Sequence, residues 1–260
     1  SSSFDVVFSP LTGKTVSNKI ISLVNNRGDG LVGDIILNQT GLVTSRIEKD
    51  LRGYWHLDEG TSTIAYDATG LGHNGTLTGP SWKSAANCRA GACLSFSSSE
   101  NDYIVVSGNN PILGSSAFTI VGWLKIGVHS DYGLAFYMGN SSTGQSAWIG
   151  YTAIAQVGTS NSIGGGFYGR NYGSGITDTS GWHQVVLAFS GGASGIAKLY
   201  VDGVEKTSEV YVPDLQNNSL MIGKTNSGTA YFYNGDIDEV RLYSRALTGT
   251  EILNLYNDLK

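Results

Sequence analysis

Charge is scarce in this chain: Asp, Glu, Lys and Arg together make up 14% of its 260 residues. Nowhere do Lys and Arg cluster, which argues against nucleic acid as a partner, since tracking phosphates needs a basic patch. No run approaches the ~20 consecutive apolar residues that span a bilayer, so no membrane contact is expected of this chain. The D-x-D-x-D-G spacing of an EF-hand and the G-x-S-x-G turn of a nucleophilic serine are both missing. The four histidines, His56, His73, His129 and His183, are scattered and read as packing or surface residues, with no zinc set among them. Neither an initiator Met nor a signal peptide precedes the opening SSSFDVVF. The expectation is a mature or truncated product whose export or anchoring element lay upstream.

What is abundant points the other way. Glycine occurs 36 times and tyrosine 14 times, a profile that suits an extracellular all-β domain better than a cytosolic helical enzyme. The formal net charge is −5, and all of the acidic excess lies in residues 51–260, which hold 16 acidic against 11 basic side chains. An acidic domain is compatible with Ca²⁺, which takes carboxylate and carbonyl oxygens. The only cysteines, Cys88 and Cys93 in NCRAGAC, bound a small loop that a disulfide could close, which would imply an oxidising, exported setting. Two buried thiols are the alternative, and a metal pair lacks a second Cys or His pair to complete it.

Short β-rich runs alternate with Gly, Asn and Ser turns almost throughout. In FTIVGWLKI, Phe118, Ile120, Gly122, Leu124 and Ile126 fall on one face, and Thr119, Val121, Trp123 and Lys125 on the other. Both faces carry apolar residues, as in a strand packed within a sandwich. KLYVDGVEK predicts a hairpin with Asp202-Gly203 in a type I′ turn. One helix stands out in LTGTEILNLYNDL, where Thr248 and Glu251 form a capping box and Ile252, Leu255, Tyr256 and Leu259 repeat at helical spacing. It is expected against the edge of the sandwich. A boundary near residues 48–53 divides the chain into 1–50, strands too few for a core of their own, and 51–260.

The larger part resembles a known family. GYWHLDEGTSTIAYDATGLGHNGTL, CLSFSSSENDYIVV, FTIVGWLK, GWHQVVLAF, LYVDGV and YNGDIDEVRLYSRALTGTEI follow one another in this order. They are similar to the motifs of the laminin G-like, concanavalin A-like jelly-roll family of bacterial surface and carbohydrate-active proteins. The resemblance implies a jelly-roll β-sandwich with one C-terminal helix. Residues 1–50, with KIISLV and DIILN, resemble the C-terminal β-sheet of type IV pilins, although the hydrophobic helix of pilins is absent. Together these imply a minor pilin carrying a lectin-like module, with other pilin subunits as partners.

The resemblance also implies a Ca²⁺ near the sandwich rim. Its expected ligands are Asp67 and Asn74 in YDATGLGHNG, and Asp236 and Asp238 in NGDIDE, supplemented by carbonyls of the 70–74 turn. His73 would contribute only its carbonyl. The bland alternative has Asp67 making an Asx-turn and Asp238 capping a loop. Some relatives of this fold are glucanases, and only DIDE, residues 236–239, offers closely spaced acids. It departs from the E-x-D-x-x-E pattern, so no catalytic residue is assigned. Sugar binding calls for aromatic faces and amide groups. Tyr168, Arg170, Asn171 and Tyr172 in GGGFYGRNYGSG, read as a long loop, and Asn226, Tyr231 and Tyr233 in TNSGTAYFYNGD are the candidates. The functional expectation is a non-catalytic extracellular adhesin for glycans or for glycosylated host surface and matrix proteins. A purely structural, calcium-stabilised surface module is the competing class.

Overall fold

The computed structural model describes three strands, Lys19–Val24, Val32–Leu37 and Val43–Ile47, and residues 50–260 except 130, 179, 219 and 227–230. The three strands form one antiparallel sheet, with Lys19 opposite Leu37 and Gly33 opposite Ile47. The pilin-like reading of residues 1–50 otherwise falls outside the described residues.

The remainder is an all-β sandwich of two sheets with one α-helix among the described residues, Gly249–Leu259. One sheet has eight strands. From one edge it runs Val204–Val210, Ile196–Val201, His183–Phe189, Phe118–Ile126 and Gly235–Tyr243. Beyond Gly235–Tyr243, two short strands share its far side. Leu51–Trp55 pairs with Val240–Tyr243, and Cys93–Phe96 pairs with Gly235–Ile237 and carries Ser81–Lys83 outside it. The other sheet has nine strands, with Ser146–Thr152, Gly133–Gly139 and Leu220–Ile222 adjacent at its centre.

The core follows from strand alternation. Phe118, Ile120, Leu124 and Ile126 are buried with Phe136, Met138, Ala147, Ile149, Val185 and Leu187 between the sheets. At Gly122 an added Cβ would sit 3.1 Å from the Ile149 side chain, closer than ordinary contact. The opposite face of the same strand is apolar for a second reason. Val121 joins Leu51, Tyr54, Val186, Tyr200 and Tyr243 in a second cluster that receives Ile252 and Leu255 of the helix. Trp123 stacks on Tyr256, ring centroids 5.6 Å apart. The helix therefore covers the outward face of the eight-stranded sheet rather than its edge. Burying side chains of this size contributes about 1.5–3 kcal/mol each. The capping box forms as expected, with Glu251 N donating to Thr248 Oγ1 and Thr248 N donating to Glu251 Oε2. The hairpin turn also forms, with Asp202 at φ 54° and Gly203 at φ 75°, the left-handed pair that a type I′ turn requires.

A bulge marks the centre of this sheet. Val121 faces Arg241 and Trp123 faces Asp238, so Glu239 and Val240 together oppose Gly122. Glu239 takes φ 51°, and the extra residue re-aims it toward Arg241. Above this point lies the loop closed by the Cys88–Cys93 disulfide, Cα atoms 5.4 Å apart. Its backbone N–H groups of Arg89 and Ala90 donate to Asp238 Oδ2, at 2.9 and 3.0 Å. Ala92 N donates to Asp58 Oδ1 at 2.6 Å.

Candidate functional site

The outward face of the nine-stranded sheet is aromatic where it would ordinarily be polar. In GLAFYMG, Phe136 and Met138 point into the core, and Tyr137 between them points out. In SAWIGYT, Ala147 and Ile149 point in and Trp148 points out. The strand register sets Tyr137 directly opposite both Trp148 and Met221. Tyr137, Trp148, Met221 and Leu134 form a buried apolar cluster on this face. Over it lies a cavity of about 230 Å³, floored by Tyr137, Trp148 and Leu134.

Three aromatic residues wall the cavity. Tyr132 meets Trp148 edge-on at 6.1 Å and Tyr231 edge-on at 5.1 Å. Tyr231 holds a left-handed backbone, φ 64°, fixed by Leu134 N donating to its carbonyl at 3.2 Å. A bulky residue held in this region signals strain that the surroundings impose, as binding sites often do. Tyr168 lies across from them, 41% exposed. It sits in the two-residue turn of a hairpin whose strands are Ser162–Phe167 and Arg170–Ser174.

The polar lining consists of amides and hydroxyls. Asn171 Nδ2 donates to Tyr132 Oη at 3.0 Å and to the Ile154 carbonyl at 3.2 Å, while Asn171 N donates to Gln156 Oε1 at 2.7 Å. Asn171, Gln156 and Thr225 all line the cavity. Burial raises the phenol pKa of Tyr137, and burial together with the nearby Asp131 charge raises that of Tyr132. Both rings thus keep their hydroxyl protons at neutral pH. No Asp, Glu, Lys or Arg is among the described lining residues. This arrangement can stack the C–H face of a ring on aromatic surface and hydrogen-bond its hydroxyls.

Of the residues predicted to bind ligand, Tyr168, Asn171 and Tyr231 line the cavity. Asn226 stands behind the floor, its Oδ1 accepting from Ser141 Oγ, which in turn bonds Tyr137 Oη. The other three are corrected by geometry. GGGFYGRNYGSG is a hairpin, not a long loop, so neighbouring side chains alternate between faces. Asn171 points outward, whereas Tyr172 is buried in the core against Phe167. Arg170 is held by Glu209, with Nε to Oε2 at 2.8 Å. Tyr233 is wholly buried, meets Phe96 edge-on and donates to the Lys125 carbonyl at 3.2 Å. Tyr132, Tyr137, Trp148, Gln156 and Thr225 were missed. The readable signal was an outward aromatic in each of two neighbouring strands, but their pairing is non-local.

The proposed calcium ligands are dispersed among other partners. Asp67 Oδ1 accepts from Tyr54 N and Thr69 N, and Oδ2 accepts from His73 N, each at 3.1 Å. Asn74 Oδ1 accepts from Asp67 N at 2.9 Å. The carboxylate organises its own turn, the Asx-type role. Asp236 binds Lys83 Nζ at 2.7 Å, and Asp238 serves the disulfide loop. Among the described residues no group of three or more His, Cys, Asp or Glu is placed to hold a metal ion. With N–H donors and an ammonium on these oxygens, the set of four does not fit Ca²⁺, which needs 6–8 oxygen ligands.

The acids of DIDE are equally occupied. Glu239 accepts from Tyr54 Oη, from Arg241 at 3.0 Å and from His56 Nδ1 at 2.9 Å. Burial alone would push Glu239 up, but the His56 hydrogen bond and the Arg241 charge outweigh it and bring its pKa down to about 2. Asp238 is fully buried, and burial pushes it up to about 8 despite the N–H groups of Ala90 and Arg89. His73, His129 and His183 bond the Ser107 carbonyl, the Asn234 carbonyl and Asp202 respectively.

A family profile described as the concanavalin A-like lectin/glucanases superfamily matches residues 98–253. A search of curated proteins finds no match. Among solved structures, the chain is similar to domain 4 of AbnA, a GH43 extracellular arabinanase from Geobacillus stearothermophilus, in complex with arabinotriose. The TM-score is 0.61 at 21% identity, over 80% of this chain and 98% of that one. It is also similar to botulinum neurotoxin type C, whose cell entry depends on interaction with two ganglioside molecules, with TM-score 0.55 and 14% identity over 81% of this chain. A Trypanosoma rangeli sialidase matches with TM-score 0.52 and 14% identity, over 83% of this chain and 34% of that one. The chain spans about half the length of the neurotoxin structures it matches.

Proposed function

The chain belongs to the concanavalin A-like lectin/glucanase superfamily, and from that premise we propose that it is a non-catalytic glycan-binding module whose binding site is the aromatic cavity. The observation that carries this reading is the outward Tyr137–Trp148 pair, walled by Tyr132, Tyr168 and Tyr231 and edged by the amides of Gln156 and Asn171. Most glycoside hydrolases use two carboxyl groups flanking the bond to be cut. Among the described residues no carboxylate lines the cavity, and Asp236, Asp238 and Glu239 are buried and bonded elsewhere. A hexose has twelve non-hydrogen atoms, and about −0.3 kcal/mol per atom gives roughly −3.6 kcal/mol, a millimolar Kd. Useful avidity then requires many copies on one surface.

We extend the proposal to an adhesin displayed outside the cell, reaching glycans of host surface or matrix proteins, with residues 1–50 as its pilin-like base. The Cys88–Cys93 disulfide supports an oxidising compartment, and no helix among the described residues is long and apolar enough to cross a membrane. Binding of multimerised protein to a glycan array tests the site. Tyr168→Ala should abolish the signal without unfolding a chain in which that ring is 41% exposed. Silence across the array, or binding that Tyr168→Ala leaves intact, would refute it.

A further inference from the structure

The chemistry of the cavity wall goes further than saccharide binding in general. We infer that the cavity selects uncharged saccharides and discriminates against sialylated or uronic-acid ones, because its described lining residues offer aromatic faces, amides and hydroxyls but no cation. This inference rests on the glycan reading above and narrows its ligand class.

A saccharide carboxylate entering an apolar cavity must lose water, a cost that only a cation or several aligned donors can offset. The described lining holds no Lys, Arg or His. The undescribed residues beside Thr225 and Tyr231 are Ser227, Gly228, Thr229 and Ala230, and the one before Asp131 is Ser130, none of them charged. The nearest cations in sequence are already engaged. Arg170, one residue before Asn171, is held by Glu209. Lys224, one residue before Thr225, lies over the Tyr103 ring at 3.6 Å and faces Phe232. A negative charge lies beside the cavity: exposed Asp131 precedes Tyr132, and its field adds to burial in holding the Tyr132 phenol protonated. An acidic sugar would therefore meet repulsion where it needs a counter-charge.

The test uses probes paired by charge: galactose and glucose oligosaccharides against their uronic-acid forms, which exchange one CH2OH for a carboxylate, and lactose against 3′-sialyllactose, which adds a whole acidic residue. Saturation-transfer NMR and intrinsic fluorescence report binding to the whole chain. At least one neutral probe should bind, with its acidic counterpart at least tenfold weaker. Asp131→Lys, an exposed substitution, should narrow that ratio, and so should high salt. An acidic probe binding as tightly as its neutral partner would overturn the inference while leaving the glycan reading in place. No binding by any probe would overturn both.

Discussion

Removing the Cys88–Cys93 bridge by a Cys88→Ser/Cys93→Ser double substitution should cost this fold more than loop entropy alone. The bridge joins residues five apart in sequence, and closing so short a loop contributes roughly 2 kcal/mol in the chain-entropy treatment. The same loop aims the N–H groups of Arg89 and Ala90 at Asp238, and that of Ala92 at Asp58. Asp238 is fully buried, and its Oδ1 already lacks a hydrogen-bond partner. Loosening the loop strips Oδ2 as well, and a buried polar group left without partners costs about 1–3 kcal/mol more. The sum is roughly 3–5 kcal/mol, and a domain of this size loses about 2–4 °C of Tm per kcal/mol, so the fall should be about 6–20 °C. Thermal unfolding followed by near-ultraviolet circular dichroism, in oxidised wild type and the double variant, measures it. A fall below about 3 °C would refute the argument that the loop supports the buried acid.

Other outcomes follow from the same geometry. Asp238 has its folded pKa raised to about 8 from 3.8, so its contribution is full below pH 3.8 and lost as pH rises toward 8, up to roughly 6 kcal/mol. Asp238→Asn should flatten stability over that window in urea titrations, and an unchanged pH slope would contradict this. Glu239 behaves oppositely. Its folded pKa, lowered to about 2 from 4.5, gives stability that is present above pH 4.5 and lost as pH falls toward 2, roughly 3 kcal/mol. Glu239→Gln should remove this acid-dependent part and also leave Arg241 without its carboxylate, lowering stability at pH 7. Calcium at millimolar concentration should leave Tm within about 1 °C of its value in chelator, because the oxygens of Asp67 and Asp236 are already bonded. A rise of several degrees would reinstate a calcium site.

What the sequence made readable was local. The Asp202-Gly203 turn, the Thr248–Glu251 capping box and the Cys88–Cys93 pair each depend on residues at most five apart, and each forms. The ordered motifs from residue 53 onward also carried the sandwich. The site was legible only in part, because its floor exists by register. Tyr137 and Trp148 become neighbours when Gly133–Gly139 pairs with Ser146–Thr152, and Met221 joins from a strand 84 positions after Tyr137. Taking the 164–175 segment for a loop hid its alternation, so Tyr172 was counted with Asn171 although they face opposite ways. At DIDE the obstacle to reading the site was different. The bulge at Glu239 breaks the period of two, which no composition of neighbours announced.

The central claim, that the Tyr137–Trp148 cavity holds a neutral saccharide, is tested most directly by two-dimensional NMR of the whole chain titrated with a neutral oligosaccharide that it binds. The account predicts saturable millimolar shifts of the Trp148 indole and of the Gln156 and Asn171 amides, with the amide shifts lost in Trp148→Phe at unchanged fold. Shifts centred elsewhere, or unaffected by Trp148→Phe, would contradict it.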